Sequence, residues 1–132
     1  MRPATLTYVN LFVRDLGTLP DFYARLFGFT EIPEMRNPVF RGFDTGASSI
    51  GFMAPEVYGV LELQEHRADS GVRGLLNIDV TDTAEVNRLT DVAVEMGAEL
   101  VKKPATTSYG WYQSVLLDPE RNVFRINTVL AP

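Results

Sequence analysis

Apolar and polar residues alternate along Leu6 to Val13 (LTYVNLFV), which puts Val9, Leu11 and Val13 on one side of a predicted strand and Tyr8, Asn10 and Phe12 on the other. Past Arg14 to Gly17 the period lengthens. Leu19, Phe22, Tyr23 and Leu26 recur at helical spacing, Thr18 is placed to cap the helix, and Pro20 sits in a first turn where an amide has no partner. Gly28 stops it. Phe29 to Ile32 returns to strand and Pro33 to Pro38 is a loop. Val39 to Phe43 and Ser49 to Met53 are short apolar runs around the turn Asp44 to Ser48, which predicts a hairpin.

The pattern then lapses. Ala54 to Gly71 holds a helical turn around Val57 to Leu61 followed by a polar run, so residues 54–73 read as a linker between a module at 5–53 and another at 74–130. The second module opens on Leu75 to Val80 (LLNIDV), where Leu76, Ile78 and Val80 alternate with Leu75, Asn77 and Asp79. Asp82, three residues before Glu85, predicts a capped helix with Val86, Leu89, Val92, Ala93 and Met96 as its stripe and Gly97 as its stop. Ala98 to Lys102 is a strand and Pro104 to Gly110 a loop. Gln113 to Leu117 and Val123 to Asn127 form a final hairpin around Asp118 to Asn122.

The order of elements is thus repeated. Tyr8 to Asp15 lies on Leu75 to Asp82 with Asn, Val and Asp in common, and laying Asp44 on Asp118 puts Gly51 on Arg125. An internal duplication of a β-α-β-β-β unit is the reading that joins these observations.

A chain of 132 residues with 45% apolar and 22% charged residues is one ordinary globular domain. Its net charge of −5, from 17 acidic and 12 basic residues, with Lys102 and Lys103 the only adjacent lysines, argues against a nucleic acid partner. The absence of cysteine excludes disulfides and thiolate metal sites. No signal peptide and no apolar run of roughly 20 residues occurs, so the expectation is a cytoplasmic protein without a membrane partner.

The paired modules, the strand endings YVNLFVRD and LLNIDVTD, the pair FYARLFGF and VEMGAEL, and the hairpin YGWYQSVLLDPERNVFRI resemble the vicinal oxygen chelate superfamily. That superfamily includes glyoxalase I, extradiol dioxygenases, fosfomycin resistance enzymes and bleomycin resistance proteins. The resemblance covers nearly the whole chain. It implies an α+β fold in which two βαβββ modules form an open, eight-stranded, mixed, barrel-like cleft with helices outside, and it implies a homodimer. On that fold Leu11, Val13, Ile78 and Val80 face the helices. Tyr8, Asn10, Phe12, Leu75, Asn77, Asp79, Arg125 and Asn127 then line the cleft, and hairpin pairing adds Phe40, Met53, Tyr112 and Ser114.

Metal-dependent members of the superfamily place His and Glu ligands at positions that fall here on Tyr8, Gly51, Leu75 and Arg125. None is a usual ligand, and an arginine sets a fixed positive charge where a cation would sit. Glu62 and the lone His66 fall in the linker, and no nucleophile elbow or glycine-rich phosphate loop occurs. What remains is an arginine, paired asparagines and aromatic surface from Tyr8, Phe12, Phe40, Trp111 and Tyr112, with alternation setting Trp111 opposite Tyr112. The expectation is a metal-independent protein, without cofactor, that binds a small molecule as bleomycin resistance proteins do. The alternatives are a superfamily enzyme, with metal or with Tyr8 or Asp79 as its catalytic group, and an accessory interaction domain.

Overall fold

The chain divides into two units, Met1–Asp69 and Ser70–Pro132. A computed structural model describes residues 4–68 and 71–132, so Asp69 and Ser70 of the expected linker lie outside the described residues.

The first unit runs β1 (Tyr8–Phe12), α1 (Leu19–Phe27), β2 (Thr30–Glu31), β3 (Phe40–Asp44), β4 (Ser49–Met53) and α2 (Glu56–Val60). Its sheet has the order β1-β4-β3-β2, with β1 parallel to β4 and the other pairs antiparallel. The second unit repeats the scheme with β5 (Leu75–Asp79), α3 (Thr83–Glu95), β6 (Glu99–Thr106), β7 (Trp111–Leu117) and β8 (Val123–Val129), in the order β5-β8-β7-β6. The two parallel pairs have the same register. Asn10 lies opposite Gly51 in the first unit, and Asn77 lies opposite Arg125 in the second. The expected βαβββ duplication and the match of Gly51 to Arg125 are therefore both present in the backbone.

Each sheet is covered on one face by its helix. In the first unit the aromatic residues of α1 and the strands interlock, with Tyr23 fully buried 5.8 Å from the Phe52 ring and Phe43 edge-on to Phe52 at 5.7 Å. Burying side chains of this size supplies most of the driving force for a unit this small. In the second unit Val86, Leu89 and Ala93 of α3 are buried with Leu116, Phe124 and Ile126 of the sheet. Two hydroxyls cross that layer. Buried Thr90 donates to the Val86 carbonyl at 2.6 Å and shares a 2.7 Å hydrogen bond with Ser114 of β7.

The helix ends differ in chemistry. Asp82 caps α3 as expected, accepting from the Glu85 amide at 2.9 Å. Thr18 does not cap α1: its hydroxyl donates instead to the Asp15 carboxylate at 2.6 Å, while the other Asp15 oxygen accepts from the Gly17 amide at 2.8 Å. These bonds, that from Thr18 first, hold the Asp15 carboxyl below the usual carboxylate range. Asp82→Ala is therefore expected to cost about 1 kcal/mol in a denaturation measurement, and Thr18→Ala less.

Several elements depart from the sequence pattern: β7 starts two residues early at Trp111 and β8 runs two residues further to Val129. β6 continues through Pro104 to Thr106, with register shifts between Leu100 and Lys102 and between Lys102 and Ala105. Proline is tolerated because β6 is an edge strand and needs no donor on its outer side. The expected linker is partly ordered as α2 and a short 3-10 turn at Gln64–His66, and Val57 of α2 is buried.

Candidate functional site

In each unit the sheet face turned away from the long helix carries the residues of interest, and the strand register arranges them in rows. In the second unit one row is Asn77, Arg125 and Val115, and the next is Asp79, Asn127 and Gln113. Side chains on neighbouring strands at the same level meet, so these rows become hydrogen-bonded chains. Arg125 donates from Nε to Asn77 Oδ1 at 2.6 Å, and the Asn77 side-chain amide donates to Asp79 Oδ1 at 2.9 Å. The same Asp79 oxygen accepts from Asn127 at 2.8 Å. The Arg125 guanidinium also lies 5.3 Å from the centre of the Trp111 ring, a cation–π geometry. Asn77 and Asp79 are exposed, Arg125 and Trp111 half-buried, and Asn127 fully buried. Beyond its Nε bond to Asn77 and its contact with Trp111, Arg125 has no further partner among the described residues, so its terminal nitrogens remain available as donors.

The expectation that Tyr112 and Ser114 share this face is corrected by the structure. Ser114 bonds Thr90 and the Tyr112 hydroxyl donates to Asn87 at 2.7 Å, and both partners are on α3. Trp111, Gln113 and Val115 take the opposite face. The cause is one residue in the turns. Asp44 still pairs within its hairpin, opposite Ser49, whereas Asp118 lies in the turn beyond the Leu117–Val123 pair. Laying Asp44 on Asp118 is thus right for β4 and β8 but slips β3 against β7 by one position, and a slip of one exchanges the faces of a strand.

In the first unit the corresponding rows are Asn10, Gly51 and Gly42, then Phe12, Met53 and Phe40. Phe40 lies across the glycines, its ring centre 6.4 Å from that of Tyr8. A Cβ added at Gly51 would come within 2.7 Å of the Phe40 ring and would also meet the side-chain oxygen of Asn10. Phe12 is covered in turn by Tyr58 of α2, stacked at 3.7 Å with the planes 10° apart, and Arg67 lies 5.0 Å from the Tyr58 ring centre. Tyr58 belongs to the segment read as linker, and its part in this face was missed because a five-residue helix leaves little periodicity to read. Gly51→Ala is expected to lower stability by about 1–2 kcal/mol, since Phe40 and Asn10 must move aside, and a chemical denaturation curve would check it.

Tyr8, Gly51, Leu75 and Arg125, the positions to which the resemblance assigns metal ligands, do not each offer a group that fits a divalent ion. Gly51 offers no side chain and its space is taken by Phe40 and Asn10, Arg125 brings a positive charge, and Tyr8 and Leu75 supply neither imidazole nor carboxylate. Among the described residues no three His, Asp or Glu side chains come together in a way that could hold an ion. Glu62 and His66 are both exposed.

A model of the Glyoxalase/Bleomycin resistance protein/Dioxygenase superfamily matches residues 5–126. The chain belongs to that superfamily. A crystal structure of a glyoxalase/bleomycin resistance protein/dioxygenase family enzyme from Burkholderia phytofirmans PsJN is 53% identical, with a TM-score of 0.93 over 96% of this chain and 100% of that one. A glyoxalase-related enzyme from Fulvimarina pelagi is 18% identical, with a TM-score of 0.82 over 94% of this chain and 87% of that one. A lactoylglutathione lyase from Agrobacterium tumefaciens is also 18% identical, with a TM-score of 0.71 over 97% and 96% of the two chains. At that level of identity the last two speak for the glyoxalase fold alone. No curated protein matches the chain. Among the described residues of this glyoxalase-superfamily chain, no helix is long and apolar enough to cross a membrane.

Proposed function

We propose that this superfamily member binds a small molecule without a metal, on the sheet face of its second unit that carries Arg125 and Trp111. The observation that carries the reading is the guanidinium itself. It spends one donor on Asn77, rests over an indole, and keeps its terminal nitrogens for a guest. An arginine so placed suits a carboxylate or another flat anionic group, and the indole suits a planar neighbour to that group. None of Tyr8, Gly51, Leu75 and Arg125 offers an imidazole or a carboxylate, which supports binding without coordination. A cytoplasmic homodimer belongs to the same proposal, by analogy with the superfamily.

A second reading is an enzyme of the superfamily, with Tyr8 or Asp79 as the group that moves a proton. It is favoured by one observation: the 53% identical structure from Burkholderia phytofirmans is described as an enzyme.

Trp111 is the only tryptophan in the chain, so its fluorescence reports on this face. Benzoate is expected to change that fluorescence and to raise the melting temperature, with benzamide binding more weakly. Arg125→Met is expected to weaken benzoate by about tenfold or more, the worth of one charge-assisted hydrogen-bonded pair. Equal affinity for the two probes, or unchanged benzoate binding in the variant, would remove Arg125 from the site.

A further inference from the structure

The Arg125 guanidinium is hydrogen-bonded at its Nε, and the group that holds it is an amide with two unlike ends. Asn77 meets Arg125 with Oδ1 at 2.6 Å and turns its NH2 to Asp79 Oδ1 at 2.9 Å. Turned over, that amide would set its NH2 against an N–H donor and its oxygen against a carboxylate oxygen. Asn77 and Asp79 are both exposed, and an asparagine amide bonded only to water takes either orientation. Asp79 removes that freedom, because a carboxylate only accepts. The carboxylate is itself fixed, since the same oxygen accepts at 2.8 Å from the side chain of Asn127, which is fully buried. A chain of hydrogen bonds thus links buried Asn127, through Asp79 and Asn77 of β5, to the guanidinium.

The first unit has the asparagine of this chain and none of its other members. Asn10 matches Asn77, but Phe12, Met53 and Gly51 stand where the second unit has Asp79, Asn127 and Arg125. The acid and the buried amide accompany the arginine and are absent without it. The charge of Asp79 by itself opposes an anionic guest, so its use to the site lies in the hydrogen bonds it accepts. We infer that Asp79 is a positioning residue for Arg125. By fixing the Asn77 amide it commits Nε to the protein and leaves the two terminal nitrogens as the fork that a carboxylate meets end-on. This deepens the binding reading above and rests on it.

Asp79→Asn and Asp79→Ala separate the acceptor from the charge. Asparagine keeps an oxygen for both amides and removes the charge, whereas alanine leaves the amides to water, which donates as readily as it accepts. Titrated against Trp111 fluorescence, Asp79→Ala is expected to weaken benzoate about fivefold, the worth of one hydrogen bond. Asp79→Asn should bind it as tightly as the unmodified protein or more tightly. The Arg125 Nε–H resonance, assigned by its loss in Arg125→Met, gives a readout that needs no ligand. Its exchange with solvent should quicken by about fivefold in Asp79→Ala and stay as it is in Asp79→Asn. If the alanine variant does not fold, Asp79→Ser carries the same readouts, since its hydroxyl serves Asn127 but also donates. Unchanged benzoate affinity in Asp79→Ala, or an equal loss in Asp79→Asn, would overturn the inference and leave the Arg125 reading standing. If benzoate does not bind the unmodified protein, the binding reading falls, and the exchange rate alone decides whether Asp79 positions Arg125: unaltered exchange in Asp79→Ala would overturn that as well.

Discussion

Replacing Arg41 by methionine is expected to lower the melting temperature by about 10 °C, corresponding to about 3 kcal/mol for a chain of this size. Arg41 is 6% exposed on the helix-facing side of β3, and it is the point at which the first unit is tied together. Its Nε and one terminal nitrogen bond the Glu31 carboxylate of β2 at 3.2 and 2.8 Å. That same terminal nitrogen reaches Asp21 of α1 at 2.9 Å, and the other donates to the Leu16 carbonyl at 3.1 Å. Methionine can fill the space of the stem but leaves Glu31 with only the long contact from Arg36 and the Leu16 carbonyl without the Arg41 donor, and a group stripped of its partner costs more than the pair was worth. Arg36, by contrast, meets Glu31 at 3.5 Å with its side chain 58% exposed, and Arg36→Met should change stability by less than about 0.5 kcal/mol.

The same cluster sets a pH dependence. The hydrogen bond from Arg41, reinforced by the charges of Arg41 and Arg36, holds the Glu31 carboxyl below its ordinary value of 4.5 despite partial burial. A carboxylate with a depressed folded pKa stabilises the fold fully above its unfolded pKa and ceases to as pH falls through the lower folded value. The unmodified protein should therefore lose stability below about pH 4.5, and the gap between it and Arg41→Met should narrow there. Arg41 itself is shifted upward, chiefly by its hydrogen bond to Glu31, and stays charged throughout this range.

The second large effect is at Asp118, where alanine is expected to cost about 2–3 kcal/mol. The carboxylate is 2% exposed, and one of its oxygens accepts from the Glu120 amide at 2.8 Å and the Asn122 amide at 3.0 Å. The Asn122 side chain donates to the other oxygen at 3.0 Å. These bonds hold a turn that carries Arg121 at φ 73°, a left-handed conformation that a side chain disfavours. Asp44 in the first hairpin is exposed and bonds the Gly46 amide at 2.8 Å, where a glycine already supplies the positive φ. Asp44→Ala should accordingly cost less than about 1 kcal/mol, so the two aspartates that look alike in the sequence separate clearly in denaturation curves.

That contrast marks where the sequence could be read and where it could not. Both α1 and α3, all eight strands and the repeat were legible because an apolar stripe or alternation runs through each. Arg125, Asn77, Asp79 and Asn127 were found on one face because β5 and β8 are regular and their alternation is unbroken. Gln113 was missed, and Tyr112 and Ser114 were put on the wrong face, because the faces of β7 depend on a one-residue difference in turn length that composition does not reveal. Arg41 was passed over as one polar residue within the run VFRGF. Its partners Asp21 and Glu31 are distant in sequence, and only the folded register of β2 against β3 and α1 brings the three charges together.

The Arg125 face and the rest of the molecule follow one logic: a repeated scaffold in which matched strand positions carry different chemistry. Gly51 closes the space over its sheet with the Phe40 ring, and its counterpart Arg125 extends a charge over Trp111. The direct test is elemental analysis of the protein purified without chelator. A content of Zn, Ni, Fe and Mn far below one equivalent per chain is the predicted result, and a stoichiometric ion that stays bound through purification would contradict the account.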